Sequence, residues 1–362
     1  MHHYKIQLRP CDAFYFGGER SFGEGDAANY LVYSRYFPQQ TTLVGLMRYL
    51  ILITKGYDLS YSKLLDDQAA KYIGSKSFEI GKYEFGILKR LGPVGVSLND
   101  KLYFPDAKNH RREYDTTGRL TYTDKFRSKE VGENYTAKEL LPADGVLQMP
   151  GNDVTESIDN VFQEVTQTGN QKMQGSTDPQ AEKEKDGLYK MTRYRFNDRW
   201  CFEFLVELGE DIFADEKEFI VPMGGEHSHF YLTATKVNDY WKTPEFKKDH
   251  KLATIVLLTD AYVEKSIDKV SKTTKTLYDF CEFAISEIVD FRFFKTETDE
   301  TTAYNDLSEK TESLTKSSKY NLLERGSVFY IKKDNFTAFR KFLDNACFQN
   351  IGYNQYQINL PK

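Results

Sequence analysis

The stretch SVFYIKKDNFTAFRKFLDNACFQNIGYNQYQI, residues 327–358, decides the fold class. Ser327 to Ile331 is apolar, β-branched and aromatic, the composition of a buried strand. Asn335 follows as a helix cap, and Phe336, Phe339, Leu343 and Ala346 recur on one helical face. Ile351 to Ile358 then alternates with a period of two. Strand, helix and strand in succession predict one βαβ-like half of an α+β sandwich.

The same periods organise the rest of the chain. Tyr4, Ile6 and Leu8 alternate with polar residues as a strand, Ala13 to Phe16 continues extended, and a Gly-rich loop runs from Gly17 to Gly25. Pro38 with Thr41 and Thr42 starts a helix whose Leu43, Leu46, Met47, Leu50 and Ile53 hold helical spacing until Gly56. A second helix is predicted over Ser60 to Tyr72. Short extended pieces fill residues 83–135, and Gly151 to Gly187 reads as a long loop or an inserted arm. Trp200, Phe202, Phe204 and Val206 alternate in a strand preceded by an Asn197-Asp198 turn. His229 to Thr235 and Leu252 to Thr259 read as strands, Thr276 to Val289 as an amphipathic helix, and Thr296 to Ser318 as a mobile acidic loop.

At 362 residues the chain has room for two domains or one large one. Forty-nine Lys and Arg against 54 Asp and Glu give a net charge of -5, which argues against a strongly basic nucleic-acid binder. The 25 Tyr and 26 Phe exceed what two cores need, so rings are expected on surfaces or in grooves. Cys11, Cys201, Cys281 and Cys347 are scattered, with neither zinc-ribbon nor disulfide spacing, which fits a reducing compartment. The start, MHHYKIQLRP, lacks the apolar core of a signal peptide, and the longest apolar stretch, Leu43 to Ile53, is broken by Arg48. A cytoplasmic protein with no membrane partner is expected.

Three constellations can carry chemistry. Thr41, Gly45 and Arg48 fall at i, i+4 and i+7, a small polar face on an otherwise apolar helix, with Thr42 beside Thr41 at its positive end. A phosphate chain fits there, since Gly45 has no side chain to block it and Arg48 can fork onto phosphate oxygens. The same residues also fit a plain helix whose glycine permits close packing. Gly224, Gly225 and Glu226 form a turn able to hug a ligand, with Glu226 as an acceptor for ribose or a base edge; a hairpin turn fits equally. His227 and His229, on one side of a strand, make only two metal ligands, a poor site. The third constellation is a pair of basic and aromatic segments. Lys108 to Lys129 sets Arg111 and Arg112 among Tyr114, Tyr122 and Phe126, and Tyr189 to Arg199 sets Lys190, Arg193 and Arg195 among Tyr194 and Phe196. That interleaving suits single-stranded RNA. Neither a Walker loop, nor a nucleophile elbow, nor an HExxH helix is found, and no cofactor or metal is expected.

In their order along the chain, these pieces resemble the RAMP-superfamily proteins of type III CRISPR effector complexes, and among them the Cmr-complex subunit that holds the guide RNA. The resemblance rests on Phe14-Tyr15-Phe16 before the glycine loop and on Phe37-Pro38 ahead of Thr42-Leu43-Val44-Gly45-Leu46-Met47-Arg48. It continues through GVSLNDKLYFPD (residues 95–106), Gly224-Gly225-Glu226, Gly326-Ser327-Val328-Phe329-Tyr330 and Ile351-Gly352-Tyr353. Arg325 stands where the family has a small residue, and Tyr353-Asn354 interrupts the Gly-rich closing loop. The equivalent Csm-type subunit shares part of the pattern.

The resemblance implies an α+β protein of two ferredoxin-like (RRM-like) modules with inserted loops and a β-hairpin arm, divided as residues 1–187 and 188–362. It implies a non-catalytic scaffold that caps the 5′ tag of the crRNA with the first helix and the glycine loops. Arg325, Gly326, Ser327, Gly352 and Tyr353 thereby join the RNA-binding set. The partners it implies are the crRNA tag, target RNA near the guide 5′ end, a large polymerase-like subunit and a repeated backbone RAMP subunit. Two other readings stand beside it. One is a RAMP-type endoribonuclease processing precursor crRNA with His110, His227 or His229; the other is a structural adaptor whose rings face protein.

Overall fold

Alternation at Tyr4, Ile6 and Leu8 buries these side chains on one face of strand β1 (His2–Pro10), in the core that also holds helix α1 (Gln40–Thr54). Lys5, Gln7 and Arg9 occupy the other face. A computed structural model describes residues 1–17, 31–59, 67–74, 78–81, 84–108, 110–114, 120–124, 146–149, 154–171, 187–197, 199–238, 252–267, 273–301 and 309–359. Between β1 and α1 lies β2 (Leu31–Tyr33); after them come α2 (Asp67–Ile73), β3 (Leu88–Leu91), β4 (Gly95–Leu98) and β5 (Lys101–Pro105). Next are the hairpin β6 (His110–Tyr114) and β7 (Leu120–Asp124), β8 (Val146–Gln148), β9 (Thr155–Ser157), the single helical turn α3 (Ile158–Val161), β10 (Phe162–Gln171) and β11 (Gly187–Phe196). The strands β12 (Cys201–Leu208), β13 (Glu218–Pro222) and β14 (His229–Lys236) follow. Among the described residues these build a large sheet in the order β13-β14-β1-β12-β4-β5-β8-β9, with β3 also on β12.

The C-terminal part holds β15 (Leu252–Leu257), β16 (Ser266–Ile267), β17 (Thr274–Lys275), β18 (Phe283–Ile285), β19 (Ile288–Phe291), β20 (Phe294–Thr301), β21 (Glu309–Lys316), β22 (Tyr320–Leu323) and β23 (Val328–Lys332). It closes with α4 (Lys333–Leu343), α5 (Ala346–Gln349) and β24 (Tyr356–Asn359). Its main sheet runs β18-β23-β15-β24, each neighbour antiparallel. The protein is thus mixed α+β and strand-rich. No described helix is long and apolar enough to cross a membrane.

Several expectations are corrected. Thr276 to Val289 is no helix: a capping box between Thr276 and Asp279 starts one 3₁₀ turn, Leu277–Phe280, and β18 then pairs with β23. Phe283, Ile285, Ile288 and Val289 suit either period, and the open edge of β23 selected the strand. Within Thr296 to Ser318 the described residues form strands β20 and β21, paired from Phe294 opposite Lys316 to Thr301 opposite Glu309; their threonines favour strand despite the polarity. Within Gly151 to Gly187, expected as a long loop or an inserted arm, residues 162–171 form β10, which pairs residue by residue with β11 from Phe162 opposite Phe196 to Gln171 opposite Gly187, a strand rather than a loop. The second helix begins, among described residues, only at Asp67. Asn335 lies inside α4, whose cap is Lys332 without a side-chain bond, and Ala346 starts the separate α5, capped by Asn345. Residues 351–355 turn rather than extend, and the strand starts at Tyr356.

Among the described residues the expected ring surplus lies inside rather than on surfaces. Phe14, Phe16, Phe162, Phe196, Phe202 and Phe230 form one packed cluster with centroids 4.7–6.3 Å apart. Large rings are needed there because the β10–β11 hairpin meets the sheet without a covering helix, and only long side chains span that gap. Among the described aromatics the clearly exposed ones are Tyr33, Tyr231, Tyr278 and Phe294.

Candidate nucleic-acid interface

The α1 amino terminus is where separated loops meet. The Thr42 amide donates to the Gln39 carbonyl at 2.9 Å, and the buried Gln40 side chain donates to the Gly92 carbonyl at 3.0 Å. Gly352 packs against that bond: a Cβ there would lie 2.5 Å from the Gly92 oxygen and against Gln40 Nε2, and its φ is +88°. Tyr353 is buried next to it beside Thr41, in the core that also contains α1, Phe348 and Ile351.

Asn354 holds this closing loop. Its φ is 56°, which Asn tolerates better than most residues, and its 1% exposed side chain accepts from the Tyr262 amide at 2.8 Å. It also donates to the Tyr262 carbonyl at 2.9 Å and the Leu343 carbonyl at 3.0 Å. Asn354→Ala strands three buried backbone groups and is expected to destabilise the protein by about 2–4 kcal/mol, read from the urea midpoint at constant m-value.

Arg325 reaches the same place. Its Nε and Nη2 donate to the two Asp260 oxygens at 3.1 and 3.0 Å, its backbone amide adds a third bond at 3.0 Å, and its guanidinium lies 5.3 Å from the Phe37 ring. Burial pushes the Asp260 carboxyl up, but the Arg325 charge and hydrogen bonds outweigh it and hold the group below its ordinary value. Gly326 (φ +80°) and the buried Ser327 stitch β15 to the first part of the chain: Gly326 donates to the Leu257 carbonyl and accepts from the Lys108 amide at 2.8 Å. Lys108, expected in a basic RNA-facing segment, instead donates to Glu287 at 2.6 Å and Glu324 at 2.7 Å. Burial lowers its pKa, and those two carboxylates more than reverse the effect.

Gly45 is the open position. It is exposed in the middle of a helix whose neighbours Leu43, Val44, Leu46 and Met47 are buried, and among the described residues nothing lies within 4 Å of a Cβ placed on it. No packing contact among the described residues explains this glycine, which counts against the close-packing alternative. Thr41 and Thr42 are half-buried one turn earlier. Arg48 does not share this open face: it is 9% exposed, over the Phe85 ring at 6.0 Å, and burial lowers its pKa to about 10.

Gly224, Gly225 and Glu226 form the β13–β14 hairpin loop and also clasp the segment after β1. The Gly225 amide donates to the Tyr15 carbonyl at 2.9 Å, and a Cβ on Gly224 (φ +84°) would lie 2.5 Å from the same oxygen. Glu226 and His227 both have positive φ, so His227 sits in the turn rather than beside His229 on a strand. Among the described residues no third His, Cys, Asp or Glu joins them as a metal-ligand set. Burial and the Glu226 charge push the Tyr15 hydroxyl up. On β11, Lys190 and Arg195 are exposed, Arg195 donates to Gln163 at 2.7 Å, and Arg193 donates to the Ala13 carbonyl. The backbones of Arg111 and Arg112 lie in the β6–β7 hairpin; the side chains there, like the glycine loop from residue 18 onward, lie outside what is described.

Thr41, Thr42, Gly352 and Tyr353 thus meet at the start of α1, with Arg325 over Phe37 just before it, while Gly326 and Ser327 lie against Lys108, Leu257 and Glu324. The Gly224–Glu226 turn is joined to them through Phe16 and Phe37, whose rings both pack on Phe202. Sequence reasoning missed Gln40 and Asp260 and took Phe37 only as part of a motif; no local period marks them, because their partners lie tens to hundreds of residues away.

A family model described as CRISPR-associated protein (Cas_Cmr3) matches residues 6–359. No curated protein matches the chain in sequence. Among solved structures, the chain is similar to one in the Type III-B Cmr-beta complex bound to cognate target RNA, at 13% identity and a TM-score of 0.49 over 99% of both chains. It is also similar to a chain of a Csm1-Csm4 cassette in complex with pppApA, at 11% identity and 0.29 over 92% of this chain and 87% of that one. A Cas6-related protein from Pyrococcus furiosus matches at 9% identity and 0.30 over 100% and 99%.

Proposed function

This chain belongs to the Cas_Cmr3 family of CRISPR-associated proteins, and from that membership we propose that it is a non-catalytic RNA-binding scaffold of a type III effector complex. In this reading it caps the crRNA 5′ tag at the start of α1, contacts target RNA near the guide 5′ end, and joins a large polymerase-like subunit to the repeated backbone subunits. The observation that carries it is Gly45. Glycine inside a helix costs about 1 kcal/mol relative to alanine, no contact among the described residues requires it, and a sugar-phosphate backbone approaching the threonine end of the helix would use the space it leaves.

The strand orders support two ferredoxin-like modules. The first draws on β14-β1-β12-β3/β4 and the second on β24-β15-β23-β18, each with the βαββαβ sequence of strands in the order 4-1-3-2. In the first module the hairpin strand β13 occupies the place of the second helix, and in the second a 3₁₀ turn occupies that of the first. We set the division after β14 rather than at residue 187, because β12 and β14 both pair with β1. The β10–β11 hairpin is the arm.

Gly45→Ala is expected to raise stability by about 0.5–1 kcal/mol, whereas Gly45→Gln weakens binding of tag-bearing crRNA by about tenfold, the loss of roughly one good contact. Electrophoretic titration of the assembled complex reads both. Full crRNA affinity in Gly45→Gln would sink the reading.

A further inference from the structure

The core side of the large sheet is covered by α1; on its opposite side, Arg9, Tyr231 and Ile220 are exposed among the described residues. There the register sets Arg9 opposite Tyr231 and Tyr231 opposite Ile220, while Gln7 lies opposite Thr233 on one side and Glu203 on the other. Gln7, Arg9, Asn99, Arg199, Tyr231 and Thr233 line a groove of about 440 Å³. Its floor is polar and satisfied. Buried Glu203 accepts from Gln7 Nε2 at 2.9 Å and from Ser97 at 2.8 Å, which leaves the Gln7 carbonyl oxygen as an acceptor. Its wall is the β4–β5 turn, where Asn99 and Asp100 both take positive φ, and a 2.9 Å Lys5–Asp100 bond pins it.

Charge and ring together choose the occupant. The Asp100 charge is met by Lys5 and that of Glu203 by its donors. Among the described residues, Arg9 and Arg199 are engaged by no carboxylate, so this groove presents positive charge in a chain of net -5. Tyr231, 55% exposed, stands beside them. An acidic peptide would use the guanidiniums and leave the ring in water, whereas an unpaired nucleotide uses both.

We infer that this sheet face binds an unpaired nucleotide of single-stranded RNA, its base stacked on Tyr231 and its phosphate held by Arg9 and Arg199. Gln7 and Asn99 supply hydrogen bonds to the base edge. This site lies on the side of the sheet away from α1 and does not depend on the tag-binding reading.

The test is fluorescence anisotropy of the full chain with a labelled tetrauridylate lacking any tag sequence, with a 4-thiouridine version for crosslinking. Tyr231→Ala weakens binding by about tenfold with an unchanged salt slope, as loss of one stacked ring requires. Arg9→Ala with Arg199→Ala weakens it and lowers the slope of log K against log salt by about 1.4, two phosphate contacts at roughly 0.7 each. The crosslink falls on the β14 peptide carrying Tyr231. Equal affinity in the wild type and both groove variants overturns the inference. So does a crosslink confined to α1 or the 351–355 loop, or a loss seen only with Gly45→Gln, and those two outcomes leave the tag-binding reading standing.

Discussion

Gly352→Val is expected to lower the melting temperature by roughly 5 °C, the shift of about 3 kcal/mol in a protein of this size, and to abolish high-affinity crRNA capture with it. Two costs combine. At φ +88° a Cβ meets the following peptide, which costs roughly 1–2 kcal/mol. The new side chain also drives into Gln40 and the Gly92 carbonyl, parting a buried 3.0 Å bond whose loss costs about 1–3 kcal/mol. The clash is not relieved by a swing of Gln40, since the Gly92 oxygen behind it is backbone. Calorimetry reads the stability change, and titration with tag-bearing crRNA reads whether the loop and the α1 start separate. A Gly352→Val protein that melts with the wild type would mean that this loop does not rest on α1.

The larger loss belongs to Asp260→Ala. It leaves the Arg325 guanidinium buried over Phe37 without its carboxylate, and breaking a buried pair on one side costs about 3–5 kcal/mol. Asp260→Ala with Arg325→Leu removes both charges and is expected to recover most of the loss, whereas Arg325→Lys is not, because an ammonium cannot span both carboxylate oxygens. The pair also sets an acid limb. The folded Asp260 pKa lies below its unfolded value near 3.9. Its contribution is therefore fully present above about pH 5 and lost as pH falls through 3.9 toward the folded pKa. Urea midpoints between pH 2 and 7 should fall less steeply with acid in the double variant than in the wild type; parallel curves would remove Asp260 from the account.

Both residues bear on what could be read in advance. Arg325 stands out in the sequence as a departure from the family's small residue, and the resemblance places it among the RNA-binding residues; what the sequence does not show is its carboxylate partner Asp260, 65 residues away. Lys108, in the basic segment, is likewise held by Glu287 and Glu324. A charge run reports which groups are present but not which carboxylates the fold returns to them. At Gly45 the two readings, phosphate approach and close packing, look alike in the sequence, and the absence of any described neighbour within 4 Å favours the first.

The sequence by itself determined the α+β class, the edge-to-core alternation of β1, β12 and β14, the span of α1 and the membership that six ordered motifs implied. Each of these rests on periods of two or 3.6 residues or on short motifs, which act over neighbouring side chains. Only the tertiary structure decided that strands β18 and β19 form within Thr276 to Val289 and strands β20 and β21 within Thr296 to Ser318, because a strand's stability lies in a partner that its own residues do not name. It alone decided that Gly352 meets Gln40 and that Arg9, Tyr231 and Ile220 form one row. Contacts between positions hundreds of residues apart are chosen by the sheet that brings them together, and no local pattern carries that information.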